Sequence, residues 1–597
     1  MLLLNIFINP FSVFLLILNC LFIVIFKKWL GGVGIFYTSL TCLIIFIINN
    51  AFILNFNLLT GSFVFLDMGV WLLISDIIDS RLLFCFDNLT TVLSITVAIL
   101  TIFAQFFGVE YMSRDAFISR LVSLLNLFST SVLLLFCVYD FFLILIAWEL
   151  IGLFSFLLVN FYSLTIYTIK SSLKTFIFSR LSDLFIFLSF NLSILLFNTS
   201  DLTLIFLKTP FFIYHNFFIF SVSINSIFVL TISISLASVI KAAQFGFHVW
   251  LPDAMNAPTP ASSLIHSSTL VIMGIYLIIR FSLVFEFSVY TNYFLAVIGS
   301  LTIALGSVVA VFQTDIKKLV AYSTISQMGY LVSGCGFCAY EETIVYLIMH
   351  ALNKAFLFII VGYTVHFFNS NTDLRQMGGI GIYSFDLTIF FITISFNLMG
   401  LPFSSGFYSK EFLLFQILNT DTFSNLIKSF WFISFMFTPF YMTLIVYSVN
   451  FKIKFNIFKN YKNINTNSVN HTITIYNVLT KLDNSYVTSK LTVFVLVCFW
   501  LLVNNFGDFF FMVVSNLISS NESLYSKNYT NIQYHYSFSL NIINFYSINR
   551  IFVFIIFITV VSLKFLLLNY YKNTSNYFTL IVYLDFIFLL LTLLVIL

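Results

Sequence analysis

Lys241, His248 and His266 lie in a stretch of membrane-grade apolar sequence, KAAQFGFHVWLPDAMNAPTPASSLIHSST, together with an aspartate and three prolines. A charge at bilayer depth costs several kcal/mol, so such residues mark an ion pathway by default. Glu149 sits in FFLILIAWELIGLFSFLL, apolar on both sides. Its bland reading is a carboxylate satisfied by a local hydroxyl. Its functional reading pairs it with a buried lysine, Lys241 being the candidate. A lysine that loses its counter-charge in a low dielectric also loses affinity for its proton, so such a pair can store and release one. His350 and Lys354 are spaced i, i+4 in IVYLIMHALNKAFLFIIVGY and share one helix face. Lys410 and Glu411 follow a second polar interruption, NLMGLPFSSGF. A lone histidine on an apolar face is usually a satisfied core residue. A series Lys241, His266, His350, Lys354, Lys410 is what proton relay requires.

Arg180 and Asp183 are spaced i, i+3 and read as a local ion pair. Asp315, Lys317 and Lys318 fall at a helix boundary, with Lys317 the candidate to face inward and Lys318 to face solvent. Pro252 is expected to interrupt the helix that carries Lys241, since proline removes a backbone donor and clashes with the preceding turn. Asn397–Phe407 is the second expected break, and Gly406 there would let water reach Lys410. Two broken helices, each near a lysine, point to an internal repeat with a transport site in each half. Broken helices at that depth are tolerated only where protein or water meets the freed backbone groups.

These residues need a membrane scaffold, and the composition supplies one. The 597 residues are 60% hydrophobic and 8% charged, against about 25% charged in soluble proteins. Mean hydropathy is +1.05. The fold class expected is all-α and polytopic. Spans are expected to begin near Asn5, Gly34, Leu89, Phe117, Tyr139, Leu173, Ile224, Ser262, Tyr293, Leu319, Ile344, Leu387, Ile427, Leu491 and Tyr577. Asp201–Phe220 reads as either a short span or a surface segment. Asn57–Arg81, Phe451–Lys490 and Asn516–Leu540 are the longer polar breaks. Asn541–Asn573 is apolar but interrupted by Arg550 and Lys564; hydropathy slightly favours a span over a helix lying along the membrane surface. Lys27 and Lys28 put the first turn on the matrix or cytoplasmic side. The Lys-rich Phe451–Lys490 loop conflicts with that orientation if an even number of spans precedes it.

Other chemistry is thinly supported. The net charge of +4 is too small and dispersed to argue for nucleic acid. Cys335 and Cys338 form one C-x-x-C, and a metal or iron–sulfur site needs about four ligands. No Gly-rich phosphate loop follows a strand, so flavin, nicotinamide and nucleotide binding lack support here. Phe 81 and Tyr 30 are extreme counts that suggest coding by an A+T-rich organelle genome. The N-terminal apolar stretch lacks the basic leader and cleavage site of a signal peptide and reads as the first span.

The same stretch, KAAQFGFHVWLPDAMNAPTPASSLIHSST, resembles the signature of the antiporter-like subunits of respiratory complex I and of Mrp-type cation/proton antiporters. The likeness continues through DIKKLVAYSTISQMGY, HALNKAFLF, RQMGG and GLPFSSGFYSKEF, over roughly Phe86 to Phe412. FDNLT, EYMSRD, WELIGLFSFLL and the extended C-terminus look most like the distal member of the mitochondrial set. The resemblance implies about 15–16 transmembrane helices, with two inverted five-helix repeats and broken helices. It implies an N-terminal part at 1–85, a proton-translocation core at 86–450 and a C-terminal extension at 451–597. Asn541–Asn573 then becomes a lateral helix and the last span an anchor. Glu149 matches the carboxylate that pairs with Lys241, His266 and Lys354 match the central relay, and Lys410 matches the terminal lysine toward the exit. Arg180 and Asp183 match an Arg/Asp pair, with Ser182 in place of the usual glycine. His248, Lys317, Tyr346, His350 and Glu411 are supporting candidates. Tyr346 stands where the family often has a histidine, and the segment after Pro439 lacks an expected arginine.

The resemblance implies a proton-translocating subunit of NADH:ubiquinone oxidoreductase in the mitochondrial inner membrane. It implies no cofactor in this chain: NADH, FMN, iron–sulfur clusters and ubiquinone are expected in other subunits. The partners implied are the other membrane-arm subunits, above all a neighbouring antiporter-like subunit, and lipid. The alternatives are an Mrp-type Na⁺/H⁺ antiporter subunit and a passive scaffold with a sealed channel.

Overall fold

A computed structural model describes residues 2–451, apart from 75–77, 114, 220–221, 268, 369, 381–384, 402–403 and 419–424. The spans near Leu491 and Tyr577 and the lateral-helix candidate Asn541–Asn573 lie outside the described residues.

The expected polytopic helical fold is what the described residues form. Nine helical segments among them are long and apolar enough to cross a membrane, Thr259–Arg280 counted as one, because a helix satisfies its backbone without water. The first, α1 at Leu2–Thr60, turns at Gly31, whose φ of 63° and ψ of −176° end one arm and begin the next. That left-handed φ is cheap only for glycine. The two spans expected near Asn5 and Gly34 are these two arms.

The polar break expected at Asn57–Arg81 contains structure that an all-helical reading does not provide. Strands β1 (Val64–Ile74) and β2 (Ile78–Phe86) form an antiparallel hairpin in register from Val64↔Phe86 to Ile74↔Ile78. Helices α2 (Asn88–Tyr111), α3 (Ile118–Cys137), α4 (Phe141–Val159) and α5 (Ile166–Phe197) follow. Asp87 and Asp140 cap α2 and α4 by accepting from Thr90 N and Phe142 N. The ambiguous segment Asp201–Phe220 is not a span. It folds as α6 (Leu202–Lys208), a 3₁₀ turn at Thr209–Phe212 begun by Pro210, and a strand β3 (Asn216–Ile219) paired with β4 (Val222–Asn225).

Helix α7 (Ser226–Lys241) is followed by short α8 (Trp250–Asp253), α9 (Thr259–Ser267), α10 (Leu270–Arg280) and α11 (Ser282–Glu286). Then come α12 (Val289–Phe312), α13 (Ile316–Gly336), α14 (Tyr340–Phe367), α15 (Phe385–Met399), α16 (Ser405–Leu418) and α17 (Asn425–Val446). The α12–α13 pair is held by small residues. A Cβ on Gly299 would meet Ser333 N at 2.5 Å, and one on Gly306 would meet Ser326 N at 2.8 Å. Lipid gives helices no hydrophobic reason to associate, so close backbone approach of this kind does that work.

Successive crossings gather half of the basic residues among the described residues at one end of the bundle. Lys27 lies near Arg120, Lys174 bonds Asp253, and Lys318 bonds Asp315, which bridges to Asp373 beside Arg375. Arg81, Lys208 and Arg280 lie at the other end. The positive-inside rule assigns the lysine-rich end to the side of synthesis. Trp431 of α17 packs on Phe337, whereas Tyr441 bonds Gln327. Helix α17 therefore runs from the C-terminal end of α13 toward its lysine-bearing start, and Phe451 emerges at the lysine-rich end. The rest of the Phe451–Lys490 loop lies outside the described residues.

Candidate functional site

The first broken helix differs from expectation in where it breaks. Helix α7 has already ended at Lys241, well before Pro252. Ala243 (φ 51°) and Gly246 (φ 86°) turn the chain through positions 242–249. Trp250 Nε1 donates to Ile240 O at 3.1 Å and so satisfies a carbonyl of the last turn of α7. Pro252 is inside the single turn of α8, where a missing N–H loses nothing.

Lys241 is fully buried at that helix end, where the partial negative charge of the terminal carbonyls favours a cation. Its closest carboxylate is Asp183, with Nζ 3.7 Å from Oδ1. The other oxygen of Asp183 lies 3.5 Å from Arg180, as the i, i+3 spacing suggests. Arg180 in turn lies 4.0 Å from Glu149. The expected direct Glu149–Lys241 pair is thus replaced by an alternating series, Glu149–Arg180–Asp183–Lys241. The reason is helix geometry. Trp148 and Gly152, one turn apart on α4, face the lysine: the Trp148 ring is 5.2 Å from Nζ, and a Cβ on Gly152 would reach within 3.2 Å of it. A residue one step along a helix points about 100° away, so Glu149 faces outward. Its side chain is 48% exposed and that of Arg180 is 42%.

The centre of the bundle is built from α9 and α14. His266 on α9 is fully buried, and neither ring nitrogen has a hydrogen-bond partner among the described residues. Its ring lies 5.9 Å from that of Phe358, one turn beyond Lys354 on α14. Lys354 Nζ donates to Ser323 Oγ on α13 at 2.5 Å. His350 lies one turn before it, buried, with Nε2 unpartnered among the described residues. Tyr346, one turn earlier again, donates to Gln327 Oε1. Gln327 Nε2 donates to Tyr441 OH at 3.4 Å. At this position Tyr346 ties α14 to α13, and through Gln327 to α17.

The second break falls where expected, between α15 and α16, and Gly400 turns it with a φ of 71°. Gly406 lies against the chain on the far side of the break. A Cβ there would sit 1.7 Å from Asn397 O, so the carbonyl fills that space. Asn397 Nδ2 also bonds Asn353 Oδ1 at 3.3 Å, beside Lys354. Lys410 is buried on α16, with Nζ 4.9 Å from the Tyr330 ring, 4.6 Å from the Phe435 ring and 3.4 Å from Thr438 Oγ1. Glu411 is buried beside it.

Two candidates stand apart from this line. His248 is half-buried on the loop of the first break. Lys317 is half-buried in the first turn of α13, and Lys318 is exposed against Asp315 at 3.3 Å.

The model of the family described as "NADH:quinone oxidoreductase/Mrp antiporter, TM" matches residues 138–438. That interval is half of the chain. The chain belongs to the NADH:quinone oxidoreductase/Mrp antiporter transmembrane family. Every site candidate from Glu149 to Glu411 falls within the match. Curated members similar to this one are named NADH-ubiquinone oxidoreductase chain 5. The protein from Paramecium tetraurelia is 37% identical over 67% of this chain and 70% of its own. That from Nyctotherus ovalis is 40% identical over 73% of this chain, and the aligned part is 24% of its length. That from Dictyostelium discoideum is 33% identical over 65% of this chain and 58% of its own. Among solved structures, the Mrp complex from Dietzia sp. DQ12-45-1b superposes with a TM-score of 0.63 at 25% identity, over 73% of this chain and 47% of that one.

In this family member the charged candidates were legible from sequence, and their neutral neighbours were not. Trp148, Gly152, Ser323, Gln327, Tyr330 and Phe435 are common residue types in apolar helices. Helical spacing does offer a signal for two of them: once Glu149 is placed outward, Trp148 and Gly152 lie on the inward side.

Proposed function

We propose that this chain is a proton-translocating core membrane subunit of a respiratory NADH:ubiquinone oxidoreductase in the mitochondrial inner membrane. The observation that carries the reading is one succession of buried basic groups, Lys241, His266, Lys354 and Lys410, with its outer lysines at two broken helices. The names of the curated relatives and the membrane-spanning fold support it.

The arrangement performs the task as follows. Loss of the proton from Lys241 leaves Asp183 with Arg180 as its only cationic neighbour in the series. Arg180 then moves toward Asp183 and away from Glu149. A change of charge outside Glu149 acts on Lys241 in the reverse order. The proton passes from Lys241 through water to His266, whose ring nitrogens can accept and donate, then to Lys354 and Lys410. Redox chemistry belongs to other subunits, which hold NADH, FMN, the iron–sulfur clusters and ubiquinone. Glu149 and Arg180, half-exposed in the middle of α4 and α5, would face lipid at high cost in an isolated chain. A neighbouring membrane subunit over that face removes the cost.

The test is co-purification. The tagged chain is expected to copurify with a large assembly that oxidises NADH and reduces ubiquinone. Recovery in a complex that exchanges Na⁺ for H⁺ without NADH oxidation would favour the Mrp-type antiporter, the reading that the Dietzia neighbour supports.

A further inference from the structure

A small cavity adjoins Lys241 between α4, α5 and α8, with Ser155, Thr175, Ser179, Trp250 and Ala254 in its wall. It has room for about one water molecule. The three hydroxyls donate to carbonyls of their own helices, at Gly152, Ser172 and Phe176, each at 2.8 Å. Their lone pairs therefore remain to accept from water. These hydroxyls are the polar part of a wall otherwise made of apolar side chains, and along α5 Thr175 lies on the Lys174 side of Ser179.

Two charged residues stand directly beside that wall. Lys174 precedes Thr175 on α5, and Asp253 precedes Ala254 at the end of α8. Lys174 Nζ bonds Asp253 Oδ2 at 2.5 Å, with side chains 41% and 38% exposed. The bond joins two walls of the cavity that the sequence separates widely. It also anchors the turn whose first residue, Trp250, holds the end of the Lys241 helix through Ile240 O. An ion pair this exposed is screened by solvent and opens readily. Opening it would free α8 from α5 and widen the cavity beside Lys241.

We propose that the Lys174–Asp253 ion pair is a latch that governs access of water from the lysine-rich end to Lys241. Lys174 and Asp253 are positioning residues in this role. The significance of the latch for proton movement rests on the function proposed above, but the latch itself is a statement about access. Its test therefore does not use pumping. In the assembled complex, Ser155→Cys is the reporter, and a small water-soluble methanethiosulfonate is applied from the lysine-rich side. Labelling is counted above the background of the parent chain. Lys174→Met and Asp253→Asn are each expected to speed labelling about two- to fivefold, and the swapped pair Lys174→Asp/Asp253→Lys is expected to return it to the slow rate. Unchanged labelling in the single variants, or fast labelling in an assembled swap, would overturn the latch.

The unmodified complex provides a second reading. Backbone amides of residues 242–249 are expected to exchange hydrogen severalfold faster in 1 M salt than in 0.1 M salt, because screening weakens the pair. Equal exchange at the two concentrations would also overturn the proposal. A pumping-inactive complex that still shows both effects would contradict the proposed function and leave the latch standing.

Discussion

Lys241 and Lys410 both lie buried beside a broken helix, yet they are held by different chemistry. Lys241 ends the first half of its helix and faces a carboxylate, Asp183, within a series of alternating charges. Lys410 lies early in the second half of its helix, where Tyr330 and Phe435 present their rings and Thr438 its hydroxyl. Both surroundings favour an ammonium, the first with a carboxylate and the second with ring quadrupoles among its contacts. The first can be switched by moving a charge along the series. The second has less to move, because rings packed between α13 and α17 are fixed by their neighbours: Tyr330 also packs on Trp431, and its hydroxyl bonds Ser434. A charge displaced along that series acts on Lys241, whereas the rings beside Lys410 hold their places.

The largest effect that would sharpen this contrast is expected at Asp183. Removing one partner of a buried ion pair costs about 3–5 kcal/mol. Asp183→Asn is expected to reduce coupled turnover of an assembled complex by more than about tenfold. Glu149→Gln, which reaches Lys241 only through Arg180, is expected to cost only about two- to fivefold. NADH-driven proton uptake in membranes measures both. A Glu149 defect larger than the Asp183 defect would restore a direct Glu149–Lys241 pair.

At the aromatic end the effect is smaller. A cation–π contact is worth about 0.5–2 kcal/mol, so Phe435→Leu is expected to slow turnover about two- to tenfold. Tyr330→Phe keeps the ring and is expected to change turnover by less than about twofold. The same assay compares them, and a Tyr330→Phe defect exceeding that of Phe435→Leu would make the hydroxyl, rather than the ring, the functional group.

The smallest expected effect lies outside both regions and serves as their control. Asp140, between α3 and α4, is raised from 3.8 to about 6, chiefly by burial and against hydrogen bonds from Phe142 N, Ser200 and Arg81 N. A carboxyl raised on folding favours the fold while protonated. Its contribution is full below about pH 4 and is lost as pH rises through about 6. Asp140→Asn is expected to flatten that fall in thermal stability without altering the pH dependence of turnover. An unchanged melting profile between pH 4 and 6 would remove Asp140 as its cause.

What sequence disclosed follows from cost. Glu149, Lys241, His266, Lys354 and Lys410 stand out because charge in apolar sequence is expensive, and the i, i+4 row on α14 places His350 and Lys354 together. Partner choice was hidden. The i, i+3 spacing disclosed Arg180–Asp183, but which of them meets Lys241 depends on how α4 and α5 rotate about their axes. Pro252 suggested a break at the proline, whereas the backbone leaves the helix earlier through Ala243 and Gly246. The hairpins were hidden because Asn57–Arg81 read as a polar break and Asp201–Phe220 as either a short span or a surface segment, and neither reading names a strand. At Gly406 a missing side chain looks like space, whereas tertiary packing puts the Asn397 carbonyl there.

The central claim is that protons cross this chain by way of Lys241. Its most direct test is the ratio of protons pumped to electrons transferred, measured in sealed membranes with fully assembled Lys241→Met complex and with Lys410→Met beside it. Both variants are expected to keep NADH oxidation and quinone reduction chemistry intact and to lower turnover and the ratio together, Lys241→Met the more severely. An unchanged ratio at unchanged turnover in assembled Lys241→Met would contradict the account and leave the chain a passive scaffold.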